Sequence, residues 1–471
     1  MMFTKSYARV IFLIALTIVI LLLPNLIRIS GTYIGEDPYF YIRVADTIKD
    51  DNIEYDELSY SGRPFAYSPA QPLIFSYLKK VLPEQMIINI IPIILGLISL
   101  YLFYLILKEL KVEPNVNYLS LIILILSPPF IYIFSSYNTF TVITLIILLT
   151  FYLLIKKNMV SYLLFFIIPF FGYQYSLLTL ILALVYSIKE KNTKGFYIIL
   201  LISLLSLLIV YLPSLSKYGL SESSKFDKAL KYKSLFSDLG GEAGISIFMI
   251  FLSLFGLSYL WKSKYKHFFI YVTLILFIIL IFYYPSFIIY LSFLLSFLAA
   301  VGMIYIIRSK WESETIRKLT MWILILGLIF SSYNFVREIS LQEPSHELYL
   351  ALNFLRGYDS SQNVVFSHYS YGIFINTIAN KKNFMDTKFL YAPNLNKRYQ
   401  DYMTLLYTRN ADLAESIINK YEIKYIIITK KMKQGLVWNQ EDEGLLFILN
   451  TGKSYNKIYY NDEVEVWRIR K

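Results

Sequence analysis

Val160-Ser161-Tyr162-Leu163-Leu164-Phe165-Phe166-Ile167-Ile168-Pro169-Phe170-Phe171-Gly172-Tyr173-Gln174-Tyr175 runs on without a charge to Ile188, and its reading decides the fold. About 20 apolar residues cross a bilayer as one helix. Residues 160–188 are too long for one straight crossing and too short for two full ones. Pro169 and the Gly172-Tyr173-Gln174-Tyr175 cluster read as a turn. The stretch therefore predicts a hairpin of two short helices.

The rest of the chain agrees with a membrane protein. Of its 471 residues, 56% are hydrophobic and 17% charged, with 43 Tyr, 35 Phe and no Cys. That excludes a disordered chain, a disulfide-stapled domain, thiolate catalysis and Cys-ligated metal centres. Three His make a His-rich metal site a poor expectation. Further apolar stretches lie at 10–27, 86–107, 195–212, 244–261 and 319–336. Residues 114–155 are long enough for two spans, broken near Ser127-Pro128-Pro129 or at Ser135-Ser136-Tyr137-Asn138-Thr139. Residues 267–307 allow two more, broken at Tyr284-Pro285. With the 160–188 hairpin, about 11 transmembrane helices are expected. The first is expected to be a retained anchor, because no small-residue cleavage pattern follows it.

Charge placement supports this count. Lys5 and Arg9, Lys108 and Lys111, Lys156 and Lys157, Lys189, Lys191 and Lys194, Lys262, Lys264 and Lys266, and Arg308, Lys310, Arg317 and Lys318 all fall on one side. The opposite short loops, 135–139, 172–175 and 283–285, hold no Lys or Arg. This is the positive-inside alternation, and a single helix at 160–188 would break it. The net charge of +12 is thus largely a topology code, with no basic stripe left for nucleic acid. A cell-membrane, multi-pass protein with a cytoplasmic N-terminus follows. Residues 1–337 form the membrane domain, with external loops 29–85 and 213–243, and 338–471 form an extracytoplasmic domain.

In that last region hydropathy falls and helix-like and strand-like runs alternate. Helices are expected at 347–356, 371–379, 395–407, 412–421 and 441–449, with Asp412 a helix N-terminal charge. Strands are expected at 364–367 and 425–429, and a hairpin at 457–460 and 464–469. The pattern predicts a small α/β domain with a mostly parallel sheet. Without G-x-G-x-x-G or a P-loop, nothing marks a nucleotide site. The external loop 29–85 is acidic, and residues 39–48 have the rhythm of an amphipathic helix lying at the membrane interface.

Glu36 and Asp37 follow the first span directly. Carboxylates there can serve as general base to an acceptor or hold a hard divalent cation that neutralises a phosphate. Gly35-Glu36-Asp37-Pro38-Tyr39-Phe40-Tyr41-Ile42-Arg43 resembles the segment after helix one in oligosaccharyltransferase catalytic subunits. More broadly it is similar to the GT-C superfamily of membrane glycosyltransferases, protein mannosyltransferases included. Gly62-Arg63-Pro64, Tyr67-Ser68-Pro69, Leu239-Gly240-Gly241-Glu242, Tyr369-Ser370-Tyr371-Gly372-Ile373, Ile378-Ala379-Asn380-Lys381-Lys382 and Met385-Asp386 extend that resemblance along most of the chain, in order.

The resemblance implies that Asp37 binds metal (Mg or Mn) and engages the acceptor, with Glu36 assisting. Arg43 and Arg63 would contact phosphate or stabilise the loop. Tyr67 and Glu242 are further substrate-binding candidates, although Glu242 also reads as a plain turn acid after two glycines. Lys231 and Lys233, in a lysine-rich external loop, would capture the headgroup of a polyprenyl phosphate. The sequence departs from the family at two places. The tryptophan-rich sequon-reading motif is here Ser367-His368-Tyr369-Ser370-Tyr371-Gly372, and the 135–139 loop carries no acidic pair. His368 reads as an exposed loop residue.

The expectation is a transferase moving a sugar from a polyprenyl (dolichyl-type) phosphate donor to a protein, lipid or glycan acceptor on the extracytoplasmic face. The departures favour a single-sugar transferase over a true oligosaccharyltransferase of protein N-glycosylation. The other class is a non-catalytic scaffold or transporter. The near absence of ionisable residues from the spans weighs against ion-coupled transport.

Overall fold

A computed structural model describes residues 2–28, 31–48, 55–65, 68–219, 235–241, 244–440, 442–452 and 454–470. Among the described residues, five helices are by themselves long and apolar enough to cross a membrane: Tyr7–Ile27, Glu84–Glu109, Thr193–Tyr218, Pro285–Arg308 and Glu314–Ser340. Pro114–Ile125 and Pro128–Ser135 form a sixth, bent by 62°. Five shorter apolar helices accompany them: Thr141–Ile155, Val160–Phe171, Tyr173–Lys189, Ile247–Trp261 and Phe268–Tyr283.

The breaks follow local chemistry. Pro128 and Pro129 cannot donate to the preceding turn, so the helix bends there. A second break follows at Ser136–Phe140, so both sites considered in 114–155 are used. In 160–188 the chain turns at Gly172, whose φ of 153° lies in the region glycine favours. The two helices it separates both pack on Thr193–Tyr218. Ile288–Arg308 is the axis of the bundle. The window around it is 83% buried, against 17% for the peripheral Thr193–Tyr218. Glycines set the closest approach. A Cβ on Gly256 would lie 2.0 Å from the Leu298 carbonyl oxygen, and one on Gly302 2.0 Å from that of Leu252. Small residues at such crossings let helix backbones touch where lipid offers no hydrophobic drive.

The basic loops gather at one end. Glu113 pairs with Arg308, Glu109 with Lys156 at 2.6 Å, and Glu190 with Lys157 at 3.4 Å, while Arg9 lies over the Tyr118 ring. At the other end Asn25 donates to the Ser135 carbonyl, and Arg28 donates to the carbonyls of Ser340, Gln342 and Pro344. Arg28 thereby ties the exit of the first helix to the entry of the C-terminal region.

That region contains a five-stranded sheet. Short strands Tyr55–Asp56 (β1) and Arg63–Pro64 (β2) pair antiparallel in the first long loop. Val364–Phe366 (β3), Lys382–Asn383 (β4), Ile423–Thr429 (β5), Tyr455–Tyr460 (β6) and Val464–Ile469 (β7) form the sheet, ordered β4-β3-β5-β7-β6. Only the β3–β4 and β3–β5 pairs are parallel. The β6–β7 hairpin adds on antiparallel, so the sheet is half parallel rather than mostly so. Leu395–Tyr407 and Ala411–Lys420 are helices. The second is capped by the Asn410 side chain, which accepts from the amides of Asp412 and Leu413.

Two expectations need correction. The helix Asp37–Thr47 does not lie at a lipid interface. Pro38 through Ala45 are all buried, because aromatic and aliphatic residues occupy every side of it. It packs against Ala70–Lys79 and Gly372–Thr377. His368 is not an exposed loop residue either: it is 9% exposed, ringed by Tyr369, Tyr371 and Tyr402.

Candidate active site

The site forms where the end of the first long helix, the 136–140 loop and the 386–388 segment converge. Gly35, at φ +76°, donates its amide to the Glu343 carbonyl (3.1 Å), which sets the direction in which Glu36 and Asp37 leave the membrane helix. Pro38 then fixes the first turn of the next helix, where a missing amide costs nothing.

Asp37 is held on both oxygens. Oδ2 accepts from the Thr139 amide at 2.9 Å and the Thr139 hydroxyl at 2.7 Å. Oδ1 accepts from Lys388 Nζ at 3.1 Å. Thr139 is presented by a rigid loop. Asn138 Nδ2 donates to the Tyr132 and Ile133 carbonyls, Asn138 Oδ1 accepts from the Phe140 amide, and Gln71 donates to the Asn138 carbonyl. Glu36 accepts from the Thr387 hydroxyl at 2.8 Å and lies 3.7 Å from Lys388 Nζ. The Lys388 ammonium also sits over the Phe40 ring, 5.1 Å from its centroid.

The two carboxyls are pushed apart. Burial raises Glu36 above the usual carboxylate range, with the Asp37 charge adding to it against the pull of Lys388. Burial acts on Asp37 in the same sense, but Lys388 and the two Thr139 donors outweigh it, so Asp37 is held below its usual value. Lys388 is raised: burial disfavours its charge, and the two carboxylates more than compensate. At neutral pH Asp37 is therefore anionic and Lys388 cationic. Of the two carboxyls, Glu36 is the one that holds a proton more tightly.

The 386–388 segment is fixed from below. Asp386 and Arg63 are both fully buried, 3.6 Å apart. Asp386 accepts from Ser59, from Asn383 (3.0 Å) and from the Lys388 amide (2.9 Å), and Arg63 donates to the Lys388 carbonyl. Gly372 supplies the space, since a Cβ there would lie 2.2 Å from the Met385 carbonyl oxygen.

Of the sequence candidates, the structure brings Asp37 and Glu36 together. Arg43 and Arg63 are interior. Arg43 is 5% exposed and paired with buried Asp56, and Arg63 faces Asp386. Neither guanidinium is accessible in this placement. Tyr67, Glu242, Lys231 and Lys233 lie outside the described residues. Thr139, Thr387 and Lys388 were not singled out from sequence. They stand 102 and 351 residues from the acids they touch, and no local spacing signals such a contact. The nearby signals were Met385-Asp386 and the 135–139 loop, neither of which singled out these residues.

A divalent ion needs several free oxygen or imidazole donors. Among the described residues no three His, Cys, Asp or Glu converge. Both Asp37 oxygens already accept from Thr139 and Lys388, so the donor set does not fit such an ion. A cavity of about 1330 Å³ lies elsewhere, lined by Tyr60 of the first long loop and by Arg398, Lys420, Lys424 and Arg468 of the C-terminal region.

No family model and no curated sequence matches the chain. Solved structures do. The oligosaccharyltransferase of Archaeoglobus fulgidus in the apo form matches 89% of this chain and 70% of its own at a TM-score of 0.60 and 13% identity. The same enzyme also matches in complex with an inhibitory peptide and a dolichol-phosphate (TM-score 0.55) and with Zn and sulfate (0.58). ArnT from Cupriavidus metallidurans, bound to undecaprenyl phosphate, matches 97% of each chain at a TM-score of 0.53 and 9% identity. At such identities the likeness speaks for the fold alone, which this chain shares with the oligosaccharyltransferase and ArnT structures.

Proposed function

We propose that the chain is an integral membrane glycosyltransferase that takes a sugar from a polyprenyl phosphate donor on the extracytoplasmic face. Counted as crossings, the long, bent and shorter helices make eleven spans. The end that gathers the basic loops is then cytoplasmic, and Asp37 and the C-terminal domain are outside. The observation that carries the reading is the placement of Asp37. It stands just beyond the first membrane helix, ionised and clamped between Thr139 and Lys388, where bundle meets C-terminal domain. The structural neighbours solved with dolichol-phosphate and undecaprenyl phosphate support a lipid-linked donor.

In this reading the acceptor X–H hydrogen-bonds to the Asp37 carboxylate and attacks the anomeric carbon. The carbon–oxygen bond to phosphate breaks, and the lipid phosphate leaves with the electron pair. The acceptor proton passes to a carboxylate, and Glu36, with its raised pKa, is the better base. Asp37, held low, orients rather than abstracts. The missing tryptophan motif favours transfer of a single sugar over sequon-directed oligosaccharide transfer.

The test is complementation. Cells lacking the gene should lose a glycoconjugate that the wild-type chain restores and Asp37→Asn does not, at equal membrane insertion. Full restoration by Asp37→Asn removes the assignment.

A further inference from the structure

Lys388 occupies an unusual place. Its ammonium lies 3.1 Å from Asp37 Oδ1 and 3.7 Å from Glu36 Oε1, between two adjacent carboxylates where a bridging cation would sit. It is delivered by a segment hydrogen-bonded on both sides. Asp386 anchors the Lys388 amide, Arg63 holds its carbonyl, and the Asp386 carboxylate is itself tied to Asn383 and Ser59. The Lys388 side chain nevertheless stays 24% exposed and that of Glu36 33%, so the cation is reachable from outside. An ammonium has three donors and no acceptor. The hydrogen bond to Asp37 uses one of them.

We propose that Lys388 is the resident cation of this site, binding the donor phosphate and neutralising the leaving phosphate in place of a divalent metal. The proposal rests on the glycosyltransferase reading above. The chemistry asks for such a charge. A polyprenyl-phosphate sugar is a phosphodiester with one negative charge. Breaking its bond to the anomeric carbon releases a phosphomonoester that carries a second one. A fixed positive charge beside the departing oxygen favours that step, because its attraction grows as the second charge develops. The acceptor proton goes to Glu36, so atoms and charge balance without an added metal. The 135–139 loop brings no carboxylate of its own. Thr139 donates to Asp37 instead, and a donor belongs where the neighbouring cation is built in.

The experiment uses the purified full chain in nanodiscs, with undecaprenyl phosphate as probe, in EDTA and in millimolar MnCl₂. Thermal unfolding of each variant checks the fold. Wild-type binding should be the same in both conditions. Lys388→Ala should bind at least tenfold more weakly in EDTA and recover part of the loss in Mn²⁺, because Glu36 and Asp37 are then freed to hold the ion. Lys388→Arg should keep most of the binding in EDTA. Wild-type binding that collapses in EDTA overturns the proposal, as does Lys388→Ala binding equal to wild type in EDTA. Those results leave the glycosyltransferase reading standing. A wild-type chain that binds no polyprenyl phosphate in either condition overturns both.

Discussion

Arg63 and Asp386 face each other at 3.6 Å with neither side chain exposed, although one belongs to the first long loop and the other to the C-terminal region. This pair is the floor on which Lys388 stands. Removing one partner of a buried pair leaves the other charge without compensation, which costs roughly 3–5 kcal/mol. Arg63→Ala or Asp386→Ala should each lower stability by about that amount in denaturant unfolding. A double substitution should cost less than the sum of the singles.

Gly372 is required by space rather than by backbone torsion. Its φ is an ordinary helical −57°, yet a Cβ would meet the Met385 carbonyl oxygen and the Asp386 backbone. Gly372→Ala should cost about 1–3 kcal/mol, the usual cost of overpacking, and push the 385–388 segment away from Glu36. A thermal melt reports the first effect. Loss of polyprenyl-phosphate binding reports the second.

Thr139 helps hold Asp37 in its ionised form. Thr139→Val removes the hydroxyl donor and keeps the amide. Losing a donor to the charged form raises a carboxyl pKa. The weaker hold on Asp37 should cost roughly a tenfold loss of rate, in keeping with about 1.5 kcal/mol for a hydrogen bond to a charged group, while the acidic limb of the pH–activity profile, set by Glu36 as the base, stays in place. An unchanged rate would show that the Thr139 hydroxyl does not hold Asp37 for the reaction.

His368 makes the fold acid-sensitive. Burial lowers its pKa to about 4 from the ordinary 6.5, so the folded state binds a proton less readily than the unfolded chain. The sign follows from linkage: stability is full above pH 6.5 and falls as pH drops towards 4. The loss amounts to about 3 kcal/mol at 1.36 kcal/mol per pH unit. Melting curves between pH 7 and 4 should show it, and His368→Asn should flatten the dependence in that window.

Apolar run length made the helices of the bundle legible in one dimension, because a bilayer demands about 20 apolar residues per crossing. Asp37 was legible for a similar reason: its position is defined by the end of the first span. The 39–48 helix was legible as a helix but not as a buried one. Its apolar residues report that it needs cover, and only the packing of Gly372–Thr377 and Ala70–Lys79 over it shows what supplies the cover. The tertiary structure alone decided the partners of Asp37. Thr139 and Lys388 reach it from 102 and 351 residues away. A contact of that kind depends on how helices cross and where a domain docks, which no periodicity or local spacing encodes. The same applies to Arg43 and Arg63: their charge was visible in the sequence, but whether it faces a ligand or a buried carboxylate was fixed only when the loop folded against the domain above it.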